Sequence, residues 1–358
     1  MKSLPALPHF EGDPGRKHLT DAGKLVKIES IWKECGGRDM VNYNWAMVGA
    51  GGIASEMAEA LKELGGGVYG VCASRYESAE AFSRKHGVLH AFGSCEEMLG
   101  DSKVDIVYVA TPHNLHYEVI KKALLAGKHV LCEKSITVDA GQLEELVALA
   151  AERKLILQEA MTIYHMPLYK KLREVAASGA IGDIKMVQVN FGSCKEYDVN
   201  NRFFNKDLAG GALLDIGVYA AAFARSFLSE RPEEVLTTVK YFETGVDEQS
   251  GIILKNSRDE MAVMALTMRA KQPKRGVVAG EKGYIEVNNY PRADRAVIVY
   301  TEDGRTEELA CGEMGRALCY EVEDMEAAVS HGGGQLELEY TRDVMHILTE
   351  VKRQWEMK

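Results

Sequence analysis

A short apolar run that breaks into glycines and then continues as a helix constrains the fold most strongly: Trp45-Ala-Met-Val-Gly49-Ala-Gly51-Gly52-Ile-Ala54. The apolar side chains that follow recur at helical spacing and so share one helix face: Ile53, Met57, Leu61 and Leu64. The other faces largely carry charged residues: Glu56, Glu59, Lys62 and Glu63. The stretch therefore predicts a buried strand, a tight turn and an amphipathic helix.

Three small residues of this turn, Gly49, Gly51 and Ala54, match the G-x-G-x-x-G/A fingerprint of dinucleotide-binding folds. The first glycine permits the turn, the second lets backbone approach a pyrophosphate, and the third small residue lets the helix pack closely on its strand. Gly52 and Ile53 open the helix, where free N–H groups bind a diphosphate. An ordinary glycine turn is the alternative, but the strand-turn-helix context favours a dinucleotide site.

Strand and helix patterns alternate after the fingerprint. The predicted strands are 45–48, 68–73, 90–92, 104–110, 129–132 and 155–159. The predicted helices include 77–86, 116–126 and 139–152. The run 104–110 is almost continuously apolar, as expected for a central parallel strand that is covered on both faces. The alternation predicts a doubly wound parallel sheet of the Rossmann kind over residues 43–162.

The residue after the second strand of such a fold usually selects the cofactor, because a carboxylate there binds the adenosine ribose hydroxyls. This chain has Ala73-Ser74-Arg75 instead. A hydroxyl and a guanidinium can hold a 2′-phosphate, so Ser74 and Arg75 favour NADP(H). NAD(H) stays open, because Arg75 can equally be a solvated helix-start residue and Glu77 can reach the ribose.

Two other strand ends bring polar residues to the carboxyl edge of the sheet, where such sheets bind ligands. We expect the cofactor to contact seven residues there: Ala110, Thr111, Pro112, His113, His116, Glu133 and Lys134. His113 and His116 have no carboxylate or cysteine at matching spacing, so no metal site is predicted. Solvated histidines at a helix start are the alternative.

Composition excludes several classes of protein. A net charge of -10 and a pI near 5.6 argue against a nucleic-acid partner. No apolar run approaches the roughly 18 residues that span a bilayer, and the first ten residues lack a signal-peptide core. We therefore expect no membrane partner and a cytoplasmic location. Seven cysteines without a C-x-x-C pair favour reduced thiols.

The chain of 358 residues is long enough for two domains. Residues 1–42 are predicted to be a loosely packed extension; a true start at Met40 and a regulatory or oligomer-contacting arm are the alternatives. Residues 163–358 carry strand patterns at 184–191, 234–242, 251–255, 261–268, 276–279, 284–287 and 296–300, and two terminal helices near 316–330 and 340–355. A polar, aromatic loop at 192–208, which includes Lys195, Arg202 and Phe203, is expected to shape substrate specificity.

Five motifs, in this order, resemble the Gfo/Idh/MocA family of NAD(P)-dependent oxidoreductases. They are Gly49-Ala-Gly51-Gly52-Ile-Ala54, Ala110-Thr111-Pro112 with His116, Ala126-Gly-Lys-His-Val-Leu-Cys-Glu133-Lys134, Gly179-Ala-Ile-Gly182 and Gly210-Gly-Ala-Leu-Leu-Asp215-Ile-Gly-Val-Tyr219. Tyr219 and the later Glu243-Thr-Gly-Val-Asp247 look most like the dihydrodiol and xylose dehydrogenase branch.

The resemblance covers residue 43 to the C-terminus. It implies an α/β fold with an N-terminal Rossmann domain, a doubly wound parallel sheet, followed by a C-terminal α/β domain with an open, mainly antiparallel sheet. That sheet commonly forms the dimer interface in the family, so we expect a homodimer or homotetramer.

The resemblance also implies the catalytic residues. Tyr219 would transfer the proton, Lys134 would lower the pKa of that tyrosine, and Asp215 would orient the lysine or the substrate. Asp215 and Tyr219 are four apart in a helical pattern, so both face the same way. Lys134 as the acid/base is the alternative, because burial and a cationic cofactor would depress its pKa. Each of the three, taken alone, can also be purely structural.

Two departures from the family pattern bear on function. Ser135 replaces the proline of Glu-Lys-Pro, whose peptide bond is often cis in members, so either the surroundings hold a cis bond or the lysine is aimed differently. Glu159-Ala-Met-Thr-Ile-Tyr lacks the tryptophan found in dihydrodiol dehydrogenases, which disfavours an aromatic diol.

These features predict a hydride transfer between NADP(H), or NAD(H), and a CH-OH or C=O group of a small sugar, polyol or diol. A catalytically silent dinucleotide-binding sensor or regulator is the alternative. Lys134, Asp215 and Tyr219 argue against that alternative, whereas Ser135 leaves it open.

Overall fold

The computed structural model describes residues 43–357, so the predicted extension 1–42 lies outside the described residues. The first sheet has strands β1 Trp45–Val48, β2 Val68–Cys72, β3 His90–Ala91, β4 Ile106–Val109, β5 His129–Glu133 and β6 Leu157–Ala160. All pairs are parallel, in the order β3-β2-β1-β4-β5-β6. Every residue of β1 and β4 is buried. The predicted Rossmann sheet is confirmed.

The helices that connect these strands are α1 Gly52–Glu63, α2 Tyr76–His86, α3 Cys95–Gly100, α4 His113–Leu125 and α5 Ala140–Arg153. The predicted apolar face of α1 buries Met57 and Leu61 fully against the sheet. The Asp139 side chain caps α5 by accepting a hydrogen bond of 3.0 Å from the Gln142 N–H.

The second half of the chain builds an eight-stranded sheet. Its strands are β7 Ile184–Gly192, β8 Glu234–Tyr241, β9 Asp247–Lys255, β10 Met261–Thr267, β11 Gln272–Gly280, β12 Gly283–Asn288, β13 Arg295–Tyr300 and β14 Thr306–Ala310. They run in the order β14-β13-β12-β11-β7-β10-β9-β8. In this sheet, as far as the chain is described, only β7 and β10 pair in parallel. The predicted open, mainly antiparallel sheet is confirmed.

Helices of the second half cover one face of this sheet and also return to the first. They are α6 Thr162–His165, α7 Pro167–Ala177, α8 Val218–Arg225, α9 Ala317–His331 and α10 Gln335–Glu356. A π-helical turn, Leu213–Gly217, leads directly into α8. Helix α9 packs on α1, and the Trp45 indole N–H donates to Glu326 Oε1 at 2.9 Å. The terminal helices therefore join the two sheets.

Several element bounds differ from the sequence prediction. Helix α4 begins at His113 rather than at residue 116. Pro112 leads directly into its first turn, whose polar residues interrupt the apolar spacing from which the helix was predicted. Helix α10 begins at Gln335 rather than near residue 340, and β9 begins at Asp247 rather than residue 251. Strand β14 was not predicted: it is a polar edge strand paired only with β13, so it has no buried apolar alternation.

One segment among the described residues, Lys206–Arg225, is long and apolar enough to cross a membrane, with a mean hydropathy of 1.3. The sequence reasoning overlooked it. In the fold, 72% of the apolar window of this segment is buried, because the segment includes α8, which packs against β7. Its composition is therefore that of a core helix.

Candidate active site

The glycine turn lies at the carboxyl end of β1 and begins the site. Gly49 has φ of +112°, and a Cβ there would lie 2.5 Å from the Ala110 carbonyl oxygen, so only glycine fits. Gly51 and Gly52 are exposed, and a Cβ on either would meet nothing within 4 Å. They leave open space in front of the first N–H groups of α1, beside the half-buried Ile53. This geometry fits the diphosphate of a dinucleotide.

Ser74 and Arg75 follow β2 at the same edge of the sheet, and both side chains are exposed. Arg75 occupies the N-cap position of α2 without a side-chain capping bond, and it has no ion-pair partner among residues 43–357. Tyr76, next to it, is 48% exposed. A free guanidinium, a hydroxyl and an aromatic ring together fit the phosphorylated adenosine end of NADP.

The wall opposite the glycine turn is the segment Ala110-Thr111-Pro112, which leaves β4 and enters α4. The Thr111 hydroxyl is buried and has no hydrogen-bond partner within the described part of the chain. Buried polar atoms normally have a partner, so a polar cofactor group fits here. Pro112 directs the chain into α4.

The two histidines lie under this wall. His116 is fully buried, with Nδ1 2.9 Å from the Ser135 carbonyl oxygen and Nε2 2.8 Å from the Thr111 carbonyl oxygen. His113 Nε2 lies 3.1 Å from the Lys134 carbonyl oxygen, and burial lowers the pKa of His113 to about 4. His116 thus bridges the two strand-end loops, and its contact with the cofactor stays a prediction.

Lys134 leaves β5 and points at the second domain. Its Nζ donates to the Asp215 carbonyl oxygen at 2.7 Å, lies 3.4 Å from Asp215 Oδ1 and stands 4.7 Å from the centroid of the Tyr219 ring. The Lys134–Ser135 peptide bond is cis. The structure thus brings together all three predicted catalytic residues. Glu133, just before the lysine, accepts a short hydrogen bond from the Tyr108 hydroxyl.

Burial and charge set the ionisation of these groups. Burial would lower the pKa of Lys134, but Tyr219 and Asp215 raise it overall. Burial would raise the pKa of Asp215, but Lys134 and Lys195 are among the cations that lower it overall. Burial raises the pKa of Tyr219 to about 12 against the opposing effect of Lys134. The site therefore holds an ammonium, a carboxylate and a neutral phenol near pH 7.

Two cations that sequence reasoning did not assign to the catalytic centre also meet Asp215. Lys195 Nζ lies 3.6 Å from Oδ2, and an Arg202 guanidinium nitrogen lies 3.8 Å from Oδ1. Both belong to the loop 192–208, which the sequence marked for specificity. Their approach to Asp215 depends on how that loop folds, so the sequence indicated the region but not the contacts.

Ser135 and His165 act as structural residues. The Ser135 hydroxyl donates to the Leu214 carbonyl oxygen at 3.0 Å, which ties the lysine loop to the turn that carries Asp215. His165 is buried between Asp324 Oδ2, 2.9 Å from Nδ1, and the Glu159 carbonyl oxygen. These contacts give His165 a packing role.

The fold and these contacts define a class of protein, the dinucleotide-dependent oxidoreductases. Residues 43–161 match the "Oxidoreductase family, NAD-binding Rossmann fold", and residues 169–286 match the "GFO/IDH/MocA C-terminal domain". The chain belongs to the Gfo/Idh/MocA family and is an NAD(P)-dependent oxidoreductase.

Its similar proteins include trans-1,2-dihydrobenzene-1,2-diol dehydrogenases. The one from Xenopus tropicalis is 36% identical over 259 residues, which are 71% of this chain and 78% of that protein. The one from Homo sapiens is 33% identical over 249 residues, 68% of this chain and 74% of that protein.

Solved structures share the architecture. A 3-ketoreductase from Actinomadura kijaniata, in complex with NADP and TDP-benzene, superposes with a TM-score of 0.78 at 25% identity, covering 87% of this chain and 98% of that one. A levoglucosan dehydrogenase in complex with NADH and levoglucosan superposes with a TM-score of 0.80, covering 88% and 98%. At 19% identity, the latter shows the fold alone.

Proposed function

We propose that this chain transfers a hydride between NADP(H) and a secondary alcohol or carbonyl group of a small sugar, polyol or diol. The observation that carries the proposal is the convergence of the Lys134 ammonium, the Asp215 carboxylate and the Tyr219 ring. This convergence lies at the carboxyl edge of the first sheet, the edge that also carries the glycine turn.

When bound, the nicotinamide supplies or accepts the hydride. Tyr219 donates a proton to the substrate carbonyl oxygen during reduction and takes it from the hydroxyl during oxidation. The Lys134 ammonium stabilises the negative charge on the phenol oxygen once its proton has left, and Asp215 fixes the ammonium in place.

Two observations support NADP(H) over NAD(H). Ser74 and Arg75 lie exposed after β2, where a carboxylate would be expected in an NAD-specific fold. The 3-ketoreductase described above was solved with NADP. The names of the similar proteins, trans-1,2-dihydrobenzene-1,2-diol dehydrogenases, support a small hydroxylated substrate.

The test is the reduction of NADP+ and NAD+ by purified protein across a panel of neutral and anionic sugars, inositols and dihydrodiols. We expect NADP-linked turnover with at least one compound. If the protein binds NADP(H) but turns over no compound of the panel, the silent sensor is the better account.

We also propose that the protein is a cytoplasmic homodimer or homotetramer that assembles through the outer face of the eight-stranded sheet. Leu236, Ile253 and Val263 are direct neighbours on β8, β9 and β10 of that face and are 64%, 37% and 36% exposed. A row of exposed apolar side chains on a sheet favours burial against a partner.

A further inference from the structure

The charges around the catalytic centre do not balance. Three cationic groups, from Lys134, Lys195 and Arg202, lie within 4 Å of Asp215, which supplies a single carboxylate. Within the described residues 43–357, two positive charges are therefore left without a counter-ion. In partly buried surroundings, cations that repel each other are unfavourable unless an anion joins them.

The loop cations are held in place by an aromatic ring. Lys195 Nζ lies 3.5 Å from the centroid of the Phe203 ring, and the Arg202 guanidinium carbon lies 4.2 Å from the same centroid. Such cation–π contacts fix the side chains without neutralising their charge. Both cations are thus held beside Asp215 with their charge available to bind an anion.

A fourth cation approaches from β11. Lys274 Nζ lies 4.7 Å from the centroid of Phe191, whose ring is 6.1 Å from that of Tyr219. No carboxylate lies within 4.0 Å of Lys274 among residues 43–357. Burial and then repulsion from Lys271 and Lys195 lower the pKa of Lys274, which places it in the same field of positive charge.

Neighbouring acidic residues do not supply the missing anion. Burial raises the pKa of Glu133 and of Glu321, which favours their neutral forms. Glu56 is already paired with Arg292, with 3.2 Å between the oxygen and the nitrogen. The three cations belong to the loop after β7 and to β11 of the second sheet, whereas the glycine turn follows β1 of the first sheet.

We propose that the substrate carries an anionic group, a carboxylate or a phosphate ester, which Lys195, Arg202 and Lys274 bind while its hydroxyl or carbonyl group faces Tyr219. The inference rests on the proposed function and narrows its substrate class from neutral polyols to sugar acids or sugar phosphates. The anion would offset the uncompensated charge around Asp215 and fix the orientation of the substrate.

The test compares three compounds with one carbon skeleton: D-glucose, D-glucuronate and D-glucose 6-phosphate. We expect kcat/KM with NADP+ to be about tenfold or more higher for at least one anionic compound than for glucose. The carboxylate and phosphate arms distinguish the two sources of the anion. In Lys274→Gln and in Lys195→Gln this preference should fall about tenfold. Lys185→Gln, an exposed β7 lysine paired with Glu281 at 3.1 Å, should keep it.

Each other outcome is informative. If glucose is turned over as well as both anions, the anion proposal is wrong while the proposed oxidoreductase function stands. If no compound is turned over, calorimetric titration of all three into NADP+-saturated protein decides. If the anions bind and Lys274→Gln weakens that binding, the anion site is supported although the proposed function has failed. If the protein binds the three compounds without preference for the anions, the anion site is refuted.

Discussion

At the scale of residues, the ionisation of Tyr219 bears most directly on the proposed proton transfer. Its pKa of about 12, raised by burial, keeps the phenol protonated at neutral pH. The family resemblance implied that Lys134 would lower this pKa. Lys134 does act in that direction, but burial is the larger effect. The tyrosine of the free protein is therefore prepared to donate a proton rather than to accept one.

We expect Tyr219→Phe to reduce kcat about 100-fold or more, because the substrate oxygen loses its proton donor. Lys134→Met should have an effect of similar size, since the charge on the phenol oxygen is no longer stabilised. Steady-state kinetics with NADP(H) measures both, with NADPH binding by fluorescence as the control. If the Tyr219→Phe variant kept the wild-type kcat, Lys134 would be the proton-transferring group instead.

Arg75→Ala should raise the KM for NADP+ about tenfold or more and leave the KM for NAD+ unchanged, because a charged contact to the 2′-phosphate is lost. The matched control is Arg84→Ala on the same helix, where the arginine is 3.0 Å from Glu80 and faces solvent. An equal change for both cofactors in Arg75→Ala would assign the arginine to the helix start instead.

At the scale of elements, the loop after β5 is the segment that must be held, because it carries Lys134. His116 from α4 and the Leu214 carbonyl oxygen bind Ser135 from either side. The Ile136 N–H donates to Glu159 Oε1 from β6 at 3.0 Å. The same carboxylate accepts a hydrogen bond of 3.0 Å from Thr341 on α10, so four elements fix the loop.

Glu159 makes this arrangement pH-dependent. Burial raises its pKa to about 7, against the two hydrogen bonds that it accepts. Between about pH 4.3, where an unfolded glutamate titrates, and pH 7, the folded protein keeps a proton that the unfolded chain has lost. The contribution of this group to the free energy of unfolding therefore falls as pH rises through this window and is constant above it.

We expect Glu159→Gln to remove this part of the pH dependence. Relative to the variant, the wild type should lose about 4 kcal/mol of unfolding free energy across the window, at about 1.4 kcal/mol per pKa unit. Urea unfolding at several pH values measures the difference. Parallel curves for the two proteins would show that Glu159 titrates normally in the folded state.

At the scale of the whole molecule, the eight-stranded sheet has one face covered by helices and one face open. The row of Leu236, Ile253 and Val263 lies on the open face. Apolar burial between two such faces is the main driving force available for assembly. The family resemblance predicted the same surface as the interface.

Leu236→Glu should weaken assembly at least about tenfold, because it places a charge in the centre of the proposed interface. Sedimentation velocity across a concentration series measures the change. Leu89→Glu, which alters a leucine that is 72% exposed on the first domain, is the control and should leave the oligomer intact. A monomeric wild type would refute the proposed assembly.

The sequence by itself determined the first sheet and the glycine turn, which depend on local patterns of apolar runs and glycine positions. The family resemblance supplied Lys134, Asp215 and Tyr219, whose catalytic roles stay predictions. Only the tertiary structure brought Lys195 and Arg202 to Asp215, Lys274 to the neighbouring Phe191 ring, and His116 between the two strand-end loops. These contacts join residues far apart in sequence, and their energies depend on distance and burial, which no local pattern records.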